Sequence, residues 1–167
     1  LSINPSDNSV AALENLCAGL HVYEKAGVDF IELNESCPNV EHSHSEETIN
    51  GLDKSLVQRL EYLSSCFIQK RLKLTPVIVK FSNDTSPEQV PNLIELLVTL
   101  GYDGINFGNT STDYSSMRQY LSDKDRLLFE YFVTSFGGGV SGKSLATRSY
   151  ALSSLAVKIA ETLSPRN

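Results

Sequence analysis

Apolar and polar positions alternate in blocks along the chain, and each block predicts an element. Leu13, Leu16, Leu20 and Tyr23 recur at helical spacing behind the capping candidates Asp7, Asn8 and Ser9, and Gly27 supplies a stop. Residues 28–34, VDFIELN, read as a short buried strand, and residues 39–51 are polar and irregular. Leu56, Leu60, Leu63 and Phe67 mark a second amphipathic helix. Residues 76–81, PVIVKF, are β-branched and apolar, as in a parallel strand covered on both faces. Ser86 before Pro87 is a helix start; Leu93, Leu96, Leu97 and Leu100 form that helix's apolar face, and Gly101 ends it. Residues 103–109 predict a third strand. A polar excursion with Tyr114, Tyr120 and Tyr131 follows, then a glycine-rich loop at 136–142. Leu152, Leu155, Ala156, Ile159 and Leu163 carry a last helix.

Strand and helix in alternation imply a parallel sheet with crossover helices. Three strand exits end in polar groups, Asn34, Lys80 and Asn109. Polar residues gathered at the carboxyl ends of successive parallel strands mark the active face of a (β/α)8 barrel. An open doubly wound sheet gathers ligands at the same edge. A full barrel needs roughly 250 residues, so 167 residues supply half to two-thirds of one. A start at Leu1-Ser2 rather than Met adds the expectation of a piece excised from a longer chain.

Composition narrows the function classes. The chain is 41% hydrophobic and 20% charged, which is ordinary for a globular domain. Its net charge of −6 and lack of a basic run argue against nucleic acid as a partner. No apolar run approaches the roughly 20 residues of a membrane span, so a membrane partner is not expected, and the N-terminus has no signal-peptide pattern. Three widely spaced cysteines, Cys17, Cys37 and Cys66, without a CxxC step read as free thiols in a reducing compartment, hence the cytoplasm. His42 and His44 flank Ser43, but no third metal ligand has an obvious place; they read as solvated loop residues.

Residues 31–39, IELNESCPN, resemble the ELNxSCPN signature of dihydroorotate dehydrogenases. Further matches follow in that family's order: VIVK at 77–80, DGI at 103–105 with Asn109-Thr110, and GGVSGKSL at 138–145. The resemblance implies an FMN-binding (β/α)8 barrel that oxidises dihydroorotate to orotate in pyrimidine synthesis. It places Cys37 as the base that takes a proton from C5 of the ring while a hydride leaves C6 for the flavin. It places Asn34, Asn39, Asn109 and Thr110 on the substrate, and Asn34, Lys80, Gly108, Ser141 and Gly142 on the cofactor. It puts the FMN phosphate in loops after the seventh and eighth strands, which lie outside this chain, and makes the segment 38–51 a lid.

Residue chemistry agrees with these roles. A thiol with a reference pKa of about 8.5 gives a thiolate basic enough to accept a carbon-bound proton. Carboxamides carry donors and an acceptor together, so asparagines can pair both N–H and C=O groups of a cyclic imide. A lysine ending an apolar strand must meet water, an anion or a ligand, and beside a flavin it offsets the charge of the reduced ring. Within the family, Cys37 points to the soluble class that uses cysteine, whose members form homodimers or join an iron–sulfur electron-transfer subunit.

Two other functions fit the same elements. A flavin enzyme related to dihydropyrimidine dehydrogenase shares the ELNxSCP strand but continues with histidine where this chain has Asn39, and it travels with iron–sulfur modules that three scattered cysteines cannot form. A truncated, inactive barrel remnant is the non-enzymatic reading.

Overall fold

A computed structural model describes residues 1, 7–35 and 47–163; Cys37, Asn39, His42 and His44 lie outside the described residues. Helix α1 (Val10–Ala26) begins where the Ser9 hydroxyl accepts from the Ala12 N–H, and its cap residue is Gly27. Strand β1 (Ile31–Asn34) follows. A two-residue pair of strands, β2 (Thr48–Ile49) and β3 (Leu52–Asp53), forms a small hairpin within a stretch whose polarity predicts irregular chain. The Asp53 carboxylate then accepts from Leu56 N–H and starts α2 (Lys54–Cys66). Strand β4 (Val77–Lys80) leads through a 3-10 turn over Pro87–Gln89 into α3 (Val90–Leu100), and β5 (Gly104–Asn106) follows.

The three longer strands are parallel and ordered β1-β4-β5. Each connection carries a helix, because parallel neighbours need a crossover to return the chain to the same end. Alternation decides the two faces. Ile31, Leu33, Val77 and Val79 point to the helices and join one core with Leu60, Leu63, Phe67 and Leu97. Burying each such side chain stabilises the fold by roughly 1.5–3 kcal/mol. Glu32, Asn34, Ile78 and Lys80 lie on the opposite face and are only half-buried. A sheet with helices on one side and polar groups on the other is the wall of a (β/α)8 barrel seen in part.

The chain between β5 and the glycine-rich loop is helical where its polarity predicts an excursion. It holds α4 (Tyr114–Met117), a 3-10 turn over Arg118–Tyr120 and α5 (Asp123–Phe136). Arg118 clamps the turn to α5 through Glu130 at 2.6 and 2.9 Å. Leu127, Tyr131, Phe132 and Phe136 on α5 stay exposed, and the three aromatic ring centroids lie 5.7–5.9 Å apart. Helix α6 (Ala146–Leu163) packs beside α3 and buries Leu152 and Ala156.

The expectation of free thiols is corrected at two positions. Cys17 on α1 and Cys66 at the end of α2 form a disulfide with Cα atoms 6.4 Å apart. They are 49 residues apart in sequence, and spacing along the chain says nothing about which helices pack side by side. Among the described residues no helix is long and apolar enough to cross a membrane.

Candidate active site at the strand exits

Parallel pairing aligns the strand ends in one row. Asn34 pairs in register with Lys80, and Lys80 with Asn106. All three project from the face away from the helices. Asn109 lies three residues past β5, yet its Nδ2 donates to Asn34 Oδ1 at 3.3 Å. The Thr110 N–H in turn donates to Asn109 Oδ1 at 2.9 Å. Two asparagines separated by 75 residues therefore meet, as the sequence pattern predicts.

Two polar side chains were not singled out by pattern. Glu32 sits two residues before Asn34 and so on the same face. Its Oε1 lies 3.4 Å from Lys80 Nζ, and its Oε2 accepts from Asn106 Nδ2 at 2.8 Å. Lys80 is thus held by a carboxylate that Asn106 orients. The signal was available: a period of two puts Glu32 with Asn34, but an acidic residue inside an apolar strand reads first as a solvated position. Gly108 packs tightly against the row: a Cβ on it would come within 2.6 Å of Asn106 Oδ1, so the Asn106 side chain would have to shift.

Loops after β4 and β5 are tied to each other. Asp84 accepts from Ser111 Oγ and from the Thr112 N–H at 2.7 Å. Ser111 and Val140 exchange two backbone hydrogen bonds of 3.0 and 2.8 Å, which draws the glycine-rich loop against the β5 exit. Tyr114 Oη donates to Gly138 O at 2.6 Å and holds the same loop from the other side. As a result Gly108, Asn109, Thr110, Ser141 and Gly142 line one cavity of about 270 Å³. Gly142 takes φ 107°, a conformation open to glycine and strained for other residues.

At the β1 exit, Glu35 follows Asn34. Its N–H donates to Lys80 O at 3.0 Å. Its carboxylate receives Arg59 Nε at 2.9 Å and Nη2 at 2.7 Å, and Arg59 Nη1 donates to Asn8 Oδ1 at 2.6 Å. Both charged side chains are buried. Beside them the Tyr102 hydroxyl donates to Leu60 O at 3.0 Å; burial first, then the Glu35 carboxylate, push its pKa upward against the opposing pull of Arg59.

Asp103 of the DGI motif lies at the other end of the sheet. It accepts from Val77 N–H at 2.8 Å and pairs with Arg71 at 2.6 Å. Burial raises its pKa, but the Arg71 and Val77 hydrogen bonds and the Arg71 charge together win and hold it below the usual value. A motif residue at the amino-terminal end of a barrel strand serves stability, whereas those at the carboxyl end serve chemistry.

Fold and site together define a segment of a (β/α)8-type barrel whose polar residues converge at the carboxyl edge of parallel strands. The family model described as dihydroorotate dehydrogenase matches residues 1–163, and the chain belongs to that family. It is 34% identical over 124 residues to a dihydroorotate dehydrogenase (quinone) from Nautilia profundicola, covering 74% of this chain and 28% of that protein. It is 28% identical over 166 residues to a protein of the same name from Actinobacillus pleuropneumoniae serotype 5b, covering 95% of this chain and 44% of the relative. The ligand-free DHODH structure from Eimeria tenella superposes with a TM-score of 0.66 at 17% identity, over 93% of this chain and 42% of that one. The ferulenol complex of the Eimeria tenella enzyme gives 0.63 at 17% identity, over 92% and 41%. The chain spans less than half the length of these relatives.

Proposed function

We propose that the protein containing this chain oxidises dihydroorotate to orotate with FMN. The observation that carries the reading is the meeting of Asn34 and Asn109 beside Lys80, on strand exits that also adjoin the glycine-rich loop. Asn34, Asn39, Asn109 and Thr110 hydrogen-bond the imide and carboxylate of the substrate without adding charge. Cys37 takes the proton from C5 as its thiolate. A bound FMN supplies the hydride acceptor for the pair leaving C6.

The residues present fit that cofactor in one part. Lys80 is a cation already oriented by Glu32 at the edge of the row, suited to a ring that gains negative charge. Gly108, Ser141 and Gly142 would admit the cofactor at close range, since two of them lack a side chain. No residue lining the cavity is charged, so it suits a neutral part of the flavin and not its phosphate. Partners belong to the same proposal: the small-molecule substrate, and either a second copy in a homodimer or an iron–sulfur subunit that receives the electrons.

The test is the natural full-length polypeptide. It should purify yellow, with flavin absorbance near ~450 nm, and dihydroorotate should bleach it. Cys37→Ser should keep the flavin and slow the bleaching in stopped-flow at neutral pH. Quinone, fumarate and NAD offered separately identify the acceptor. A colourless protein, or wild-type reduction in the serine variant, overturns the assignment.

A further inference from the structure

We infer that Asn83 is a ligand-reading residue of this site, the buried acceptor for a neutral N–H or O–H group of the molecules bound there. The inference rests on the flavin and imide reading above and assigns a residue which that reading does not use.

Asn83 follows β4 by three positions and is 1% exposed. Its Nδ2 donates to Phe107 O at 3.3 Å, which fixes the carboxamide. That leaves Oδ1 buried with no hydrogen-bond partner. Thr110 Oγ1 is the other buried side-chain oxygen or nitrogen in that state among the described residues. Both residues line the cavity at the β5 exit, alongside Ser141 and Gly142. A buried acceptor left without a donor is costly, and native structures carry such groups where a ligand or water completes them. Two of them on the wall of one cavity point to a shared occupant.

The chemistry of the wall selects that occupant. No side chain lining the cavity is charged, so neither a phosphate nor an ammonium group has a counter-charge there. An amide oxygen can only accept, and a hydroxyl does either. The complementary group is neutral and donates. The imide N–H of the isoalloxazine ring, the hydroxyls of its ribityl chain and the ring N–H of an orotate-like substrate all meet that description.

Three probes separate these sources in the full-length polypeptide stripped of flavin, or loaded with it for orotate. Lumiflavin has the ring imide but no hydroxyl chain, riboflavin has both, and orotate is followed by its perturbation of the flavin spectrum. Asn83→Leu should weaken at least one probe roughly five- to tenfold, the loss expected for one neutral hydrogen bond. Equal loss for lumiflavin and riboflavin assigns the ring imide. Loss for riboflavin alone assigns the hydroxyls. Loss for orotate alone assigns the substrate. Thr110→Val should weaken the same probe, and Asn83→Ala carries the test if Asn83→Leu does not fold. Ser64→Ala is the control, because Ser64 is buried and its Oγ donates to Leu100 O at 2.6 Å, away from this cavity. It removes a buried side-chain bond to a carbonyl while leaving the Asn83 oxygen, and should change no probe more than about twofold. If all three probes bind the leucine variant as tightly as wild type, or if Ser64→Ala loses as much, Asn83 is a scaffold residue and the inference falls. If the wild-type protein itself binds neither flavin nor orotate, the underlying reading fails first and separately.

Discussion

Replacing Arg59 by leucine should destabilise the fold severely, and the structure says by how much. Arg59 is 2% exposed and Glu35 is 7% exposed. The guanidinium places two nitrogens on the Glu35 carboxylate, at 2.9 and 2.7 Å, and a third on Asn8 at 2.6 Å. Leucine fills much of the space but leaves a buried carboxylate without its cation. Removing one partner of a buried pair costs about 3–5 kcal/mol, whereas replacing both with apolar groups is often neutral or better. At about 2–4 °C per kcal/mol for a domain of this size, the melting temperature should fall by roughly 6–20 °C. Glu35→Leu should fall comparably, by leaving Arg59 unpaired. The double variant Arg59→Leu/Glu35→Leu should recover to within about 2 kcal/mol of wild type, with the lost Asn8 bond as its residual cost. Urea unfolding of the four proteins closes the cycle. A single variant within about 1 kcal/mol of wild type, or additive losses in the double, would refute the view that this pair acts as one buried unit.

Glu32→Gln should raise the flavin reduction potential of the full-length protein, because the Lys80 charge is then no longer offset by the carboxylate 3.4 Å away; stability should change by less than about 1 kcal/mol, since the pair is partly exposed. An unchanged potential in dye-equilibration titration would remove Lys80 from the flavin. Breaking the Cys17–Cys66 link, which spans 49 residues, should cost up to about 4 kcal/mol in the chain-entropy account. Thermal unfolding should show dithiothreitol lowering the wild-type transition and leaving Cys17→Ala/Cys66→Ala unmoved. Asp103 has its pKa lowered on folding, so its contribution is complete above the ordinary carboxylate value of 3.8 and is lost as pH falls below it. Asp103→Asn should therefore lose stability at neutral pH and show a shallower decline in acid, measured by denaturant unfolding across that range.

Much of this protein was legible in its sequence by itself. Helix and strand periods located α1, α2, α3, α6 and the three parallel strands, because hydrophobic spacing is a local property that each element must satisfy alone. The motif positions of Asn34, Lys80 and Asn109 followed from strands that end in polar groups. The helicity of α5 was hidden, since its apolar side chains stay exposed and no buried face sets its period. What only the tertiary structure decided is adjacency across the chain. Glu32 beside Lys80, Arg59 beneath Glu35, Cys17 against Cys66, and the unmatched oxygens of Asn83 and Thr110 on one cavity each join residues 24 to 49 positions apart. No local period encodes such meetings; they come from which strand pairs with which and which helix packs on which, settled by the burial of one shared core.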